Sequence, residues 1–269
     1  MFPRLVAANH RREPAIGTLH SGLPALDALL GGGIDRGTST LFLGGAGTGK
    51  SSLAMHFVME AAKHGECSAV FLFEESVHAL RTRSRGLGLD VDAQIEAGNV
   101  LIQPVDPSEL SPGEFFQIVR EAVEQKEARI VVIDSLNGYL NAMPGERFLI
   151  TQLHELLSYL GQMGVSTFLL NAQKGVIGAM SSPLDVSYLA DTVVLLRYFE
   201  ANAAVRTAIS VLKKRTGPHE RTLREMVISG DGIEIGDPLR NFRGVLTGVP
   251  REVRADSVND APPAHRSET

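Results

Sequence analysis

Gly44–Ser51 reads GGAGTGKS. A largely apolar run, Thr40, Leu41, Phe42 and Leu43, precedes it, and Leu53, Ala54, Phe57 and Val58 follow at helical spacing. A G-x-x-x-x-G-K-[ST] stretch between a strand and a helix has the pattern of a phosphate-binding loop. The residue types follow from that task. Gly44, Gly45, Gly47 and Gly49 leave little but backbone N–H groups facing a ligand, and glycine permits the angles that turn them inward. A helix starting near Gly49 adds unpaired N–H groups and its positive dipole end. Lys50 supplies a mobile charge for β- and γ-phosphates, and Ser51 a hydroxyl for Mg²⁺. Gly45, Ala46, Gly47, Thr48, Gly49, Lys50, Ser51 and Ser52 are therefore the candidate nucleotide-binding residues, with ATP and Mg²⁺ the expected ligands.

Working outward, composition bounds the rest. With 269 residues, 43% hydrophobic and 21% charged, the chain suits one large soluble α/β domain with tails. No apolar run reaches the roughly 18 residues that a membrane span needs. Near the N-terminus Arg4, Arg11 and Arg12 are basic without the apolar core of a secretory signal, and Cys67 is alone. A reducing cytoplasm is the expected location. The net charge of −5 argues against a dedicated nucleic-acid surface, which normally carries a basic stripe.

Before the loop, residues 1–15 read as an arm or linker remnant. Ile16–Gly33 holds a short helix with Leu23, Leu26, Leu29 and Leu30 in period, Ser21 as N-cap and Pro24 in the first turn. After the loop, the helix runs to about His64–Gly65. Strands are expected at Ser68–Phe73, Val100–Pro104, Arg129–Ile133 and Val165–Leu170. Helices are expected at Ser76–Arg85, Ser111–Gln125 and Arg147–Met163. Strands without in/out polarity alternating with helices predict a mostly parallel central sheet covered on both faces. Thr192–Phe199, Arg206–Lys213, Thr222–Ile228 and Ile233–Ile235 follow without helices and read as an antiparallel C-terminal extension. The ordered domain is expected over 16–248, and 249–269 is expected to be disordered.

Side chains at the C-terminal ends of parallel strands face the ligand crevice. Glu74 and Glu75 end the strand after the loop helix, where one can deprotonate an attacking water and contribute to the Mg²⁺ shell. Asp134, closing RIVVID, matches a Walker B acid that holds Mg²⁺. The expected metal set is thus Ser51, Glu74 and Asp134. Asn171 and Gln173 end the next strand, and Gln173 is placed to sense a γ-phosphate. Lys213-Lys214-Arg215 reads, taken alone, as a solvated strand edge. Alternation nevertheless puts Lys213 and Arg215 on one face, with Lys214 turned away.

LFLGGAGTGKSSLAMHF (Leu41–Phe57), VFLFEES (Val70–Ser76), RIVVIDSL (Arg129–Leu136) and TAISVLKKRTGPHERTLREMVISGDGIEI (Thr207–Ile235) together resemble an ATPase domain of the circadian-clock KaiC family, within the RecA superfamily. The likeness extends from about Ile16 to Pro250, and Glu225–Pro250, including DPLRNFRGVLTGVP, is most similar to the family's second domain. It implies a RecA-like P-loop fold and homo-hexameric rings with ATP between neighbours. It also implies that Lys213, Arg215 and His219 of one subunit reach the γ-phosphate held by the next, as an arginine finger does, and that Glu74 is the base and Mg²⁺ neighbour. The second domain phosphorylates itself on an adjacent Ser-Thr pair. Here Ser187 falls on the serine and Tyr188 replaces the threonine, so half of that switch is missing, while Ser181 and Ser182 lie upstream.

The expected function is a Mg²⁺-dependent ATPase working as a ring-shaped nucleotide switch that signals to a protein partner, with serine autokinase activity at Ser187 as an added possibility. The alternative is a DNA-acting RecA-like recombinase or motor using the loop Lys174–Val186. That loop has one Lys, one Asp and neither Arg nor an aromatic residue, whereas single-strand binding uses a basic groove and stacking platforms.

Overall fold

The structure is a computed structural model and describes residues 16–106, 108–141, 149–173, 186–247 and 251–252. A two-stranded ribbon of β1 (Thr18–Leu19) and β2 (Ile34–Asp35) brackets the short helix α1 (Pro24–Leu29). Then follow β3 (Ser39–Gly44), α2 (Lys50–Lys63), β4 (Ser68–Leu72), α3 (Val77–Gly86), α4 (Val91–Glu96), β5 (Val100–Pro104), α5 (Pro112–Glu124) and β6 (Ile130–Asp134). The chain continues through α6 (Leu136–Asn141), α7 (Leu149–Gln162), β7 (Ser166–Ala172), β8 (Thr192–Ala201), β9 (Ala204–Lys214), β10 (Arg224–Ser229) and β11 (Gly232–Pro238). β12 (Phe242–Arg243) pairs with β13 (Arg251–Glu252) beside the main body. Nine strands form one sheet in the order β11-β10-β9-β8-β3-β7-β6-β4-β5. Strands β8 to β5 along that order are mutually parallel, and β9, β10 and β11 are antiparallel.

Alternation along the central strands explains why they read as apolar throughout. Phe42, Val70, Val132, Phe168 and Val194 join a core with Leu26 of α1, Leu53 and Phe57 of α2, Leu80 of α3 and Val91 of α4. Leu41, Phe71, Val131, Leu169 and Val193 face the other way, onto Phe115 and Val119 of α5 and Leu153 and Leu156 of α7. Each strand residue is therefore covered whichever way it points. Phe168 sits at the centre of the first face, its ring 5.0 Å from Phe57 and 5.8 Å from Phe42. Among the described residues no helix is long and apolar enough to cross a membrane.

Four expectations are corrected. Ser21 is not the N-cap of α1, a position held by Leu23 with Pro24 as the first helical residue. Instead Ser21 Oγ accepts from the Leu23 amide (3.0 Å) and donates to Asp27 Oδ1 (2.8 Å), tying the approach to the helix from outside it. Thr192–Phe199 does not belong to the antiparallel extension. It is the last parallel strand, registered with β3 from Thr40↔Thr192 to Gly44↔Leu196, and only its other edge is antiparallel to β9. Helices α4 and α6 were not expected; each is six residues long, too short to show a period. Of the expected disordered tail, Arg251 and Glu252 are in a strand, and residues 253–269 lie outside the described residues, as do 1–15.

The register also decides which ends of the sheet meet. Gly44, where the phosphate loop begins, is level with Leu196, and Leu196 is level with Ile209. Lys214 pairs with Thr192, at the other end of the parallel strands. Four residues of strand, about 13 Å, thus separate the start of the loop from Lys214. Lys214 itself is an internal tie. Its ammonium donates to the carbonyls of Leu30 (2.9 Å) and Gly33 (3.0 Å) and lies 3.3 Å from Asp35, with the side chain 5% exposed. Lys214→Met keeps the aliphatic bulk but leaves those carbonyls without their donor. It is expected to cost about 2 kcal/mol in urea unfolding, and an unchanged midpoint would contradict the tie.

Candidate active site

The loop leaves β3 at Gly44 and enters α2 through Gly49, which caps the helix in the left-handed region at φ 95°. A side chain there is disfavoured twice over. The backbone angle suits glycine, and a Cβ would lie 2.5 Å from Ile228 Cδ1 and 3.1 Å from Met226 Cε of β10. A Cβ on Gly47 would lie 2.9 Å from the Tyr198 hydroxyl of β8. Tyr198, Met226 and Ile228 therefore back the loop, a role missed in the sequence. Their spacing shows only that Met226 and Ile228 share a face of β10. Which face meets the loop depends on the sheet order. Thr48 is buried, and its hydroxyl donates to the Gly45 carbonyl (2.9 Å), bracing the loop from within. Ala46 and Gly47 are exposed at its tip, while Ser52 is buried in the first turn of α2.

Lys50 is 8% exposed, and its ammonium donates to the carbonyls of Gly44 (3.0 Å) and Gly45 (2.7 Å). Burial lowers its pKa to about 8, against the opposing pull of the Asp134 and Glu74 charges. Asp134 ends β6, level with Leu72 of β4, and the Ser51 hydroxyl lies close enough to favour its charged form. Burial raises the Asp134 pKa above the ordinary carboxylate value, an effect that the Ser51 hydroxyl opposes.

The tandem glutamates are held differently. Ser135 Oγ donates to Glu74 Oε2 (2.5 Å) and accepts from the Gly138 amide (3.3 Å). Gly138 lets α6 come that close, since a Cβ there would stand 2.5 Å from Phe73 Cβ and 3.3 Å from Glu74 Cγ. Glu75 instead forms an ion pair with Arg83 of α3. Just past β7, the Gln173 amide donates to the Gly44 carbonyl (3.0 Å), and its side-chain Oε1 is buried without a hydrogen-bond partner. Asn171 is buried level with Leu43. Asn137 of α6 clips the end of β7, donating to the Ala172 carbonyl (2.9 Å) and accepting from its amide (2.6 Å).

The structure thus brings Gly45–Ser52, Glu74, Glu75, Asp134 and Gln173 to one edge of the sheet. It does not bring Lys213, Arg215 and His219 there within the same chain. Lys213 donates to the carbonyls of Ser187 (3.0 Å) and Ala190 (2.7 Å). Arg215 donates to the Tyr188 carbonyl (2.8 Å) and to Asp191 Oδ1 (3.4 Å). His219 Nε2 is buried without a hydrogen-bond partner. Ser181 and Ser182 lie outside the described residues.

Among the described residues, no three acidic, histidine or cysteine side chains come together as a metal cage. The Ser51 hydroxyl near the Asp134 carboxylate fits Mg²⁺ all the same. That ion usually takes one or two protein ligands and completes its shell with phosphate oxygens and water.

A glycine-rich loop between the central strand and its helix, with acids at the ends of β4 and β6, defines a P-loop nucleotide hydrolase of the RecA-like class. The family sequence model described as "ATPase: KaiC" matches residues 19–240, and the chain belongs to the KaiC ATPase family. It is 29% identical over 237 residues to the circadian clock oscillator protein KaiC of Parasynechococcus marenigrum (strain WH8102), covering 88% of this chain and 46% of that protein. The protein of the same name from Thermostichus vulcanus gives the same identity and coverage. That of Prochlorococcus marinus subsp. pastoris is 29% identical over 244 residues, covering 88% of this chain and 47% of the relative. The chain therefore spans about half the length of these curated relatives, and residues 19–240 form a KaiC-type ATPase domain.

The buried ammonium gives a pH dependence of known sign. Phosphate oxygens brought beside Lys50 would favour its charged form, so binding above pH 8 would take up a proton and weaken as pH rises. The Kd for ATP in excess Mg²⁺ is expected to increase about tenfold between pH 7 and pH 9. A flat titration would contradict the assignment of Lys50 as the phosphate's cation.

Proposed function

We propose that this domain, over residues 16–248, is a Mg²⁺-dependent ATPase of the cytoplasm that works as a self-associating nucleotide switch. ATP is held between neighbours in a hexameric ring and is read out by a protein partner. The observation that carries this reading is the strand register, which sets Lys213 and Arg215 at the sheet end away from their own phosphate loop. A finger at that end serves a phosphate bound to a second copy more readily than its own.

The geometry within one chain and the family likeness together support the following roles. Lys50 and the amides of Gly45–Gly49 take the β- and γ-phosphates. Ser51 and Asp134 hold Mg²⁺, with Glu74 beside it; the ion, when bound, neutralises charge on the phosphates. Glu74, oriented by Ser135, accepts the proton of the attacking water, and Gln173, next to Gly44, senses the γ-phosphate. Lys213, Arg215 and His219 of the neighbour stabilise charge developing on the transferred group, a contribution worth roughly 10³–10⁵ in rate where such fingers operate. Ser187 lies on the same segment as the Lys213 and Arg215 contacts, so phosphorylation there would also occur between subunits.

Subunit mixing tests the shared site. Arg215→Ala keeps Lys50, Glu74 and Glu75, while Lys50→Ala keeps Arg215. Each alone is expected to hydrolyse ATP at least about 100-fold more slowly. Mixed rings contain some interfaces with every group present, so their activity should exceed the sum of the two preparations. If subunits exchange and activity does not rise, Arg215 acts in its own chain or not at all. The autokinase element is tested separately by mass spectrometry after incubation with MgATP. Phosphate at residue 187, lost in Ser187→Ala, supports it, and an unmodified peptide removes it.

A further inference from the structure

Glu74 and Glu75 follow β4 and Asp134 ends the neighbouring β6, and the Glu75 charge is felt at Asp134, so a triphosphate bound at the loop would approach three carboxylates. We propose that Arg83 is a positioning residue that holds the Glu75 charge away from the bound phosphates and so leaves Glu74 as the working base. This rests on the nucleotide-binding reading of the site.

Arg83 lies on α3. Ser76 caps it, its side chain accepting from the Ala79 amide. Arg83 lies seven residues on, two turns along the same face. Long side chains on a helix lean back toward its N-terminus, and Arg83 does so far enough to pair with Glu75. The pair is not an ordinary surface contact, since the two side chains are 31% and 22% exposed. Arg83 Nε and Nη2 are buried and have no hydrogen-bond partner, so the cation's hydrogen bonding is concentrated on Glu75. Its field also reaches Asp134, where it opposes that of Glu75. Glu74 makes a different contact, to Ser135. Two neighbouring glutamates are thereby sorted, one to a hydroxyl at the end of β6 and one to a cation on α3. Without the cation, the Glu75 charge would face Asp134 and the incoming phosphates uncompensated, and like charges in a partly dry crevice repel strongly.

A double-mutant cycle tests this, read by calorimetric titration of a non-hydrolysable ATP analogue with Mg²⁺. Arg83→Gln, which keeps a hydrogen-bonding side chain without the charge, is expected to weaken binding about tenfold. In a Glu75→Gln background the same substitution should change affinity less than about twofold, and Arg83→Lys should retain most of the wild-type affinity. Melting temperatures taken alongside identify a purely structural role, which would lower stability and binding equally in both backgrounds. Equal loss with Glu75 and with Gln at that position, or no loss in either, overturns the proposal. Failure of the unmodified protein to bind the analogue would instead overturn the nucleotide-binding reading.

Discussion

Lys50 lies where water scarcely reaches, its ammonium held by two main-chain carbonyls and by the fields of Asp134 and Glu74. A buried cation is tolerable only with such compensation, and each compensating group makes a structural demand. The carbonyls require a loop that folds back on itself after Gly44. Asp134 requires that β6 end level with β4, two strands across the sheet from β3. Glu74 requires that the chain beyond β4 turn toward Ser135, which in turn requires the bare Cα of Gly138 beneath it. The ends of β4 and β6, the short helix α6 and the bare Cα of Gly138 thus act together to compensate one buried charge.

The same sheet separates two kinds of basic group. Lys50 stands at the C-terminal ends of the parallel strands, and Lys213 and Arg215 stand at the far end of β9, bonded to the segment 187–191. Lys214 turns to the opposite side and fastens β9 to the α1–β2 segment. The adjacent cations therefore differ in physical role. Lys214 braces the strand, and that bracing fixes the base from which its two neighbours project. In the proposed ring, a rigid base is what lets a side chain from one copy meet a phosphate on another.

Much of this was legible in the sequence where the signal is local. GGAGTGKS carries strand, loop and helix within a few turns, and RIVVID carries its strand and its acid together. Alternation also separates Lys213 and Arg215 from Lys214. What was not legible depends on contacts across the sheet. The Ser135–Glu74 and Arg83–Glu75 bonds require knowing that β4 and β6 are neighbours and how far a side chain leans along α3. Tyr198, Met226 and Ile228 are unremarkable strand residues until the loop is packed against them. Thr192–Phe199 misled because no helical period precedes it, although it lies parallel to β3. Ser21 was misread because a serine just before a helix is ordinarily its cap, whereas here Pro24 shifts the first turn onward.

The central claim is that one ATP is held by two copies of the chain. A structure of the protein with a non-hydrolysable ATP analogue and Mg²⁺ tests it most directly. The account predicts a closed assembly in which the γ-phosphate lies against Lys50 of one copy and within hydrogen-bond distance of the Arg215 guanidinium of the next. An analogue bound to Lys50 with its γ-phosphate contacted by one chain alone, and Arg215 still bonded to Tyr188 and Asp191, would contradict it.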